Sequence, residues 1–250
     1  MKTILITGAS SGIGWATAEK MSQLGHRIVL CGRREERLSE LQKKLKTPTH
    51  LCCFDISDRV AVFQNIERLP EAFQPIDVLI NNAGNAHGLD LSQEAHLDDW
   101  DAMIDSNVKG LLYVTKAILP QMIARQAGQI INVGSIAGKE AYPKGNVYCA
   151  SKAAVDSFTQ GLRLDTNSNG LRIGAIHPGL VETRFSEVRF KGDQQRAELV
   201  YNDIEALSAA DVAESIAFMV EAPPHVTLAD ITLLPTDQAS AFVINRKSRL

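Results

Sequence analysis

Short runs of unbroken apolar residues recur along this chain between longer stretches of helical periodicity, and this alternation limits the possible folds more than any other feature. The strand-like runs fall at residues 3–7, 27–31, 50–54, 77–81, 129–133, 172–177 and 230–234. Ile28-Val29-Leu30-Cys31 and Val78-Leu79-Ile80 are apolar at every position, not every second one, as expected of strands covered on both faces. Between the runs lie amphipathic segments. At 34–45, Leu38, Leu41 and Leu45 share one helical face. Residues 98–125 read as one long helix unless Gly110 or Pro120 bends it, and 147–165 and 209–220 read as two more. Ser208 and Asp211 form a candidate capping box for the last. Strands joined through helices pair in parallel, by right-handed crossovers. The expected fold class is therefore α/β, a doubly wound parallel sheet of about seven strands with helices on both faces, in a single domain over 1–250.

Composition removes other classes. Apolar residues at 45% and charged residues at 22% suit a globular chain. A net charge of −3 gives no basic field for nucleic acid or anionic lipid. No apolar run approaches the ~18 residues of a membrane span, and the apolar stretch at 4–6 is too short for a secretory leader. Cys31, Cys52, Cys53 and Cys149 lack zinc-ligand spacing, so they are expected to be buried, reduced thiols in a cytoplasmic protein, and no metal is expected. The basic tail at 246–250 is too small to signal nucleic acid and is expected to fray. Residues 178–207 carry much charge and no strong period between a strand and a helix. A connection of that length is expected to be a substrate-binding lid.

The first strand runs into Thr7-Gly8-Ala9-Ser10-Ser11-Gly12-Ile13-Gly14 and then a helix. Glycines there let backbone approach a pyrophosphate, and a helix N-terminus offers it unpaired N–H groups. This is a Rossmann-type arrangement; no Gly-Lys-Ser/Thr follows, which excludes a Walker loop. The second strand ends Cys31-Gly32-Arg33-Arg34, without the carboxylate that would hold a free ribose 2′-hydroxyl. Two arginines at that point suit a 2′-phosphate. Cations at a helix N-terminus oppose its dipole, and an anionic ligand there would explain them. The expected cofactor is NADP.

Polar groups gather at the expected strand ends, where ligands bind in such sheets: Asp55, Asn81-Asn82-Ala83-Gly84, Ser135 and His177-Pro178-Gly179. Beyond Ser135, Tyr148 and Lys152 lie one helical turn apart on one face. A nearby ammonium favours a phenolate and would bring tyrosine into acid–base range. Ser135 could hydrogen-bond an oxygen whose charge changes during reaction.

Thr7-Gly8-x-x-x-Gly12-Ile13-Gly14, Asn81-Asn82-Ala83-Gly84, Ser135, Tyr148-x-x-x-Lys152 and Pro178-Gly179-x-Val181-x-Thr183, in that order, resemble the short-chain dehydrogenase/reductase family over the whole chain. The resemblance implies Tyr148 as general acid/base and Ser135 as the residue that positions the substrate oxygen. Lys152 would bind the nicotinamide ribose and lower the tyrosine pKa, and Asn107 would anchor a water in a proton relay. It places the nucleotide against Gly8, Ser10, Ser11, Gly12, Ile13 and Gly14. Asp55 would meet the adenine, Asn82, Ala83 and Gly84 would line the site, and Pro178, Gly179, Val181 and Thr183 would close it, with Thr183 at the carboxamide. Ser11 stands where many NADP-dependent members carry a basic residue, so the cofactor reading rests on Arg33 and Arg34.

The segments Cys31–Leu38, Phe185–Asp193 and Leu234–Ser240 further resemble the NADP-dependent 3-hydroxy acid dehydrogenases. That subgroup oxidises serine, allo-threonine and related 3-hydroxy acids at the β-hydroxyl and reduces malonic semialdehyde and similar carbonyls. Arg184, Arg189 and Lys191 could each pair with a substrate carboxylate; Arg189 is favoured because Val188 and Phe190 flank it. Two alternatives remain: a broad NADPH carbonyl reductase acting on uncharged or acyl-thioester substrates, and a non-catalytic NADPH-binding regulator, for which an intact Asn107, Ser135, Tyr148 and Lys152 set would be superfluous. The helix carrying Ala150, Ala153, Ala154, Val155, Phe158 and Leu162 is apolar around more than one face, which with the family's habit suggests a homotetramer.

Overall fold

A computed structural model describes residues 1–246; residues 247–250 of the basic tail lie outside the described residues. In chain order the elements are β1 (Thr3–Thr7), α1 (Gly12–Gln23), β2 (Arg27–Gly32), α2 (Glu35–Lys44), β3 (Thr49–Cys53), α3 (Arg59–Glu67), β4 (Val78–Asn81), α4 (Leu97–Ile104), α5 (Leu111–Arg125), β5 (Gly128–Val133), α6 (Asn146–Thr166), β6 (Leu171–Pro178), β7 (Val181–Glu182), α7 (Phe185–Arg189), α8 (Gln194–Leu199), β8 (Leu207–Ser208), α9 (Ala209–Glu221) and β9 (Asp230–Leu233). Seven strands form one sheet in the order β3-β2-β1-β4-β5-β6-β9, every pair parallel. β7 and β8 pair separately.

The unbroken apolar runs are explained by two cores. Ile4, Ile6, Ile28 and Leu30 face a cluster shared with α1 and α9. Their neighbours Leu5, Val29 and Cys31 face the opposite cluster, with Val114 and Ile118 of α5. Side chains alternate across a strand, so a central strand with both faces covered is apolar at every position. The strand order reverses between β1 and β4, opening a crevice beyond their carboxyl ends. The capping box of α9 forms: Ser208 Oγ accepts from Asp211 N–H and Asp211 accepts from Ser208 N–H.

Residues 98–125 are not one regular helix. A π-helical segment, Asp105–Gly110, separates α4 from α5. Pro120 lies within α5, and a Cβ on Gly110 would fall 2.6 Å from Ile56, so bare glycine lets the segment close on the α3 side. The stretch at 178–207 is more ordered than its sequence suggests, since it holds β7, α7, α8 and β8. Arg246 is held, not frayed, by the carbonyls of Val200 and Asn202. Cys31, Cys52 and Cys149 are buried free thiols, whereas Cys53 on edge strand β3 is exposed, against the expectation for all four. Among the described residues no helix is long and apolar enough to cross a membrane.

Candidate active site

A cleft of about 560 Å³ runs along the carboxyl ends of the strands. Its wall brings together most of the sequence-predicted site residues, from Gly8, Ser10 and Arg34 at one end to Ser135, Tyr148 and Arg189 at the other; Gly14, Asn81, Asn107, His177 and Lys191 do not line it.

At the first end, Gly8 has φ +67°, and a Cβ there would fall 2.8 Å from Ala83 Cα. A Cβ on Gly14 would fall 2.5 Å from the Gly8 carbonyl and from Asn82 Nδ2. Gly14 therefore packs the helix onto the loop and does not line the cleft. Asn82 braces the loop, donating from Nδ2 to Thr7 O at 2.9 Å. No side chain caps α1, whose N-cap is Ser11, so its first N–H groups face the cleft unpaired, as an anion site needs.

The two arginines differ. Arg33 pairs with Asp55 at 3.3 Å. Burial alone would raise the Asp55 pKa, but hydrogen bonds from Ser57 and the Arg33 charge hold it below the ordinary value. Arg34 lies across the glycine loop, donating to Ser10 Oγ at 2.9 Å and Ser11 Oγ at 2.8 Å. Burial, then repulsion from Arg184, Arg37 and Arg33, depresses its pKa, and among the described residues it has no ion-pair partner. Arg37 turns away to Glu40 and the Trp15 ring. Bare backbone, an open helix N-terminus and uncompensated positive charge fit a phosphorylated dinucleotide.

At the other end, the Tyr148 phenol is buried and tilted against Phe185, with ring centroids 5.7 Å apart. Burial pushes its pKa well above that of a free phenol; Ser135 and the Arg189 charge pull it back. Lys152 is buried one turn on, and its Nζ donates to Val133 O at 2.9 Å. Burial brings its pKa down to about 8. Arg189 is thus a cation at the phenol that the sequence did not assign there. Ser135 Oγ accepts from Ala137 N–H at 3.1 Å and lies 3.5 Å from Pro178 O.

Asn107 stands behind the wall. Its Nδ2 donates to Asn85 O and Ser151 Oγ, and its Oδ1 accepts from Asn85 N–H. His177 also leaves the cleft: fully buried, its Nε2 lies 3.3 Å from Asp230 and 3.6 Å from Asp156. Lys139 supplies the ammonium for those two carboxylates. Asn81 turns inward to Thr115 and Asn132.

Of the candidate cations in residues 178–207, Arg184 pairs with Glu187 and Lys191 with Asp99. Arg189 has no carboxylate partner among the described residues. Its Nε donates to Gly88 O at 3.2 Å and its Nη2 to Tyr142 Oη at 2.8 Å. The guanidinium lies 5.4 Å and 5.5 Å from the Tyr142 and Tyr148 ring centroids. Val188 is exposed, so these partners, more than apolar flanks, hold Arg189 inward. Sequence reasoning missed Tyr142, Asn85 and Ser151. A tyrosine six residues before Tyr148 was the one visible signal.

The profile of the short chain dehydrogenase family matches residues 2–194. The chain belongs to that family. It is 44% identical to sulfoacetaldehyde reductase 2 of Chromohalobacter salexigens, over 97% of this chain and 98% of the relative. It is 41% identical to the NADP-dependent 3-hydroxy acid dehydrogenase YdfG of Escherichia coli K12, over 95% of this chain and 96% of the relative. A solved structure of a serine dehydrogenase complexed with NADP⁺, in a closed form, superposes with a TM-score of 0.93 at 41% identity, covering 95% of this chain and 96% of that one. The resemblance read from the motifs therefore holds, and so does the expected α/β fold. The short-chain dehydrogenase is an oxidoreductase whose cleft joins a dinucleotide cradle to a Ser–Tyr–Lys set.

Proposed function

We propose that this protein is an NADP-dependent dehydrogenase that interconverts the β-hydroxyl and β-carbonyl of small 3-hydroxy acids, such as serine, allo-threonine and 3-hydroxyisobutyrate. One observation carries the substrate class: Arg189, without a carboxylate partner among the described residues, faces the cleft beside Tyr148. An inward cation left uncompensated favours an acidic ligand, because desolvating it alone is costly. The names of the relatives, a 3-hydroxy acid dehydrogenase and a serine dehydrogenase, support the same reading.

When bound, the cofactor would supply a hydride acceptor for the carbinol carbon or, reduced, a hydride donor for the carbonyl. Arg34, assisted by Arg33, would hold its 2′-phosphate, and the open N-terminus of α1 with Ser10, Ser11, Gly12 and Ile13 its pyrophosphate. Asp55 would meet the adenine. Asn82, Ala83 and Gly84 would form one wall, and Pro178, Gly179, Val181 and Thr183 the other. Lys152 would hold the nicotinamide ribose. In oxidation, Tyr148 acts as the phenolate, its own proton first given up to solvent and the anion favoured by the Lys152 and Arg189 charges. It takes the β-hydroxyl proton while Ser135 Oγ holds the same substrate oxygen in place. Asn107 anchors the loop that bounds the relay. Arg189 fixes the acidic group, and residues 178–207 act as the lid that carries it.

A second reading has one observation in its favour. The relative at 44% identity is named for sulfoacetaldehyde, and a guanidinium binds sulfonate as well as carboxylate. The exposed Ala150, Ala153 and Ala154 on α6 support a homotetramer built on that helix, and the four free thiols support a cytoplasmic setting.

The deciding experiment measures initial rates at the reduced-nicotinamide band. NADP⁺ and NAD⁺ are compared on L-serine, L-allo-threonine, 3-hydroxyisobutyrate and a neutral secondary alcohol, and NADPH is tested on sulfoacetaldehyde. Activity on the acids with NADP⁺ is expected, together with an Arg189→Ala variant whose KM rises far more for acids than for the alcohol. Equal effects would discard the acid reading. Tyr148→Phe is expected to abolish turnover and keep cofactor binding.

A further inference from the structure

The anion site proposed above rests on a single guanidinium, yet a second donor lies against it. Tyr142 lines the same cleft as Tyr148 and Arg189. Its Oη accepts from Arg189 Nη2 at 2.8 Å. A phenolic oxygen both accepts and donates, and among the described residues this hydroxyl proton has no acceptor. The ring is fixed in two ways. A Cβ on Gly145 would overlap it, so glycine clears the space the ring fills, and the Arg189 guanidinium lies 5.4 Å from its centroid.

Arg189 is equally restrained, with Nε on Gly88 O and Nη2 on Tyr142. Its remaining N–H groups are left for a ligand. Two donors of different kinds therefore converge beside Tyr148. The neighbouring cation polarises the Tyr142 O–H and strengthens it as a donor, and burial keeps its proton on by raising its pKa.

We propose that Tyr142 donates directly to the acidic group of the substrate, alongside Arg189, and thereby sets the preference for 3-hydroxy acids over neutral alcohols. This rests on the reading of Arg189 as the anion-binding residue. The physical basis is asymmetric: a neutral alcohol leaves both the guanidinium and the polarised hydroxyl desolvated and unpaired, a cost that an acid does not incur. Selectivity then comes from rejection of the neutral substrate as much as from attraction of the acid.

The test compares kcat/KM for 3-hydroxyisobutyrate with kcat/KM for a neutral secondary alcohol in wild type, Tyr142→Phe, Arg189→Ala and the double variant. Loss of one hydrogen bond to a charged group should lower the acid-to-neutral ratio in Tyr142→Phe about tenfold. The double variant separates direct donation from action through Arg189. A further fall below Arg189→Ala is expected if the hydroxyl itself touches the acid. No further fall would make Tyr142 only a support for Arg189 and overturn the proposal, as would an unchanged ratio in Tyr142→Phe. The Arg189→Ala ratio reports separately on the underlying reading: if it is unchanged, that reading fails whatever Tyr142 does. Circular dichroism of each variant checks that the fold is kept.

Discussion

The side chain of Asn107 hydrogen-bonds Asn85 on both sides of its backbone: Nδ2 donates to the Asn85 carbonyl and Oδ1 accepts from its N–H, each at 2.8 Å. The same Nδ2 reaches Ser151 Oγ, which donates to the Tyr148 carbonyl at 2.7 Å. One amide thus ties the loop after β4 to the turn of α6 that carries the phenol. The π-helical segment makes this possible, because its extra residue per turn re-aims Asn107 inward.

Asn107→Leu should therefore lower both stability and rate. Leaving the half-buried Asn85 backbone groups unpaired costs up to about 1–3 kcal/mol each, so a thermal melt should show a drop of several degrees. Cofactor affinity should fall much less than kcat, because Arg34 and the glycine loop lie at the other end of the cleft. A variant with wild-type Tm and kcat would refute the bracing role.

Arg34→Ala should separate the two nicotinamide cofactors. It removes the cation spanning Ser10 and Ser11, and a charge-assisted contact to phosphate is worth roughly a tenfold to hundredfold change in affinity. Kd for NADP⁺ should rise by that amount in a fluorescence titration while Kd for NAD⁺ changes little. Arg33→Ala should do less, since Asp55 already shares that charge.

Lys152 gives a pH signature. Burial lowers its pKa from 10.5 to about 8. Between those values the unfolded chain holds a proton that the folded chain has lost, so this group makes stability rise with pH over that window. Below about pH 8 the ammonium is charged in both states and its burial cost is present in full. Lys152→Met removes the cost and the titration together. The Tm of the variant minus that of wild type should be largest near neutrality and should shrink as pH passes through 8 towards 10.5. Turnover should be lost at every pH. A Tm difference independent of pH would show that Lys152 titrates as an ordinary exposed lysine.

The sequence by itself determined the sheet and most of the cleft. Strands buried on both faces must be apolar at every position, and Ile28 to Cys31 display that directly. Gly8, Gly12 and Gly14 are legible because the close approach of Ala83 and Gly8 leaves no room for a side chain at two of them. Tyr148 and Lys152 are legible because four residues on a helix is one turn.

Tertiary structure decided the rest, because pairing between distant segments leaves no local pattern. Among Arg184, Arg189 and Lys191 the sequence favours Arg189 only through its apolar flanks; the deciding fact is that Glu187 and Asp99 neutralise the other two. His177 sits at a strand end yet turns into the core, toward carboxylates from α6 and β9. Lys152 shares a helical face with Tyr148, but the strand beneath it offers the Val133 carbonyl, which takes its ammonium. Tyr142 belongs to an irregular loop, and only the return of α7 across the cleft sets a guanidinium against its hydroxyl. Helical and strand periods are written in adjacent residues; the partner of a charge is fixed by which segments the fold brings together.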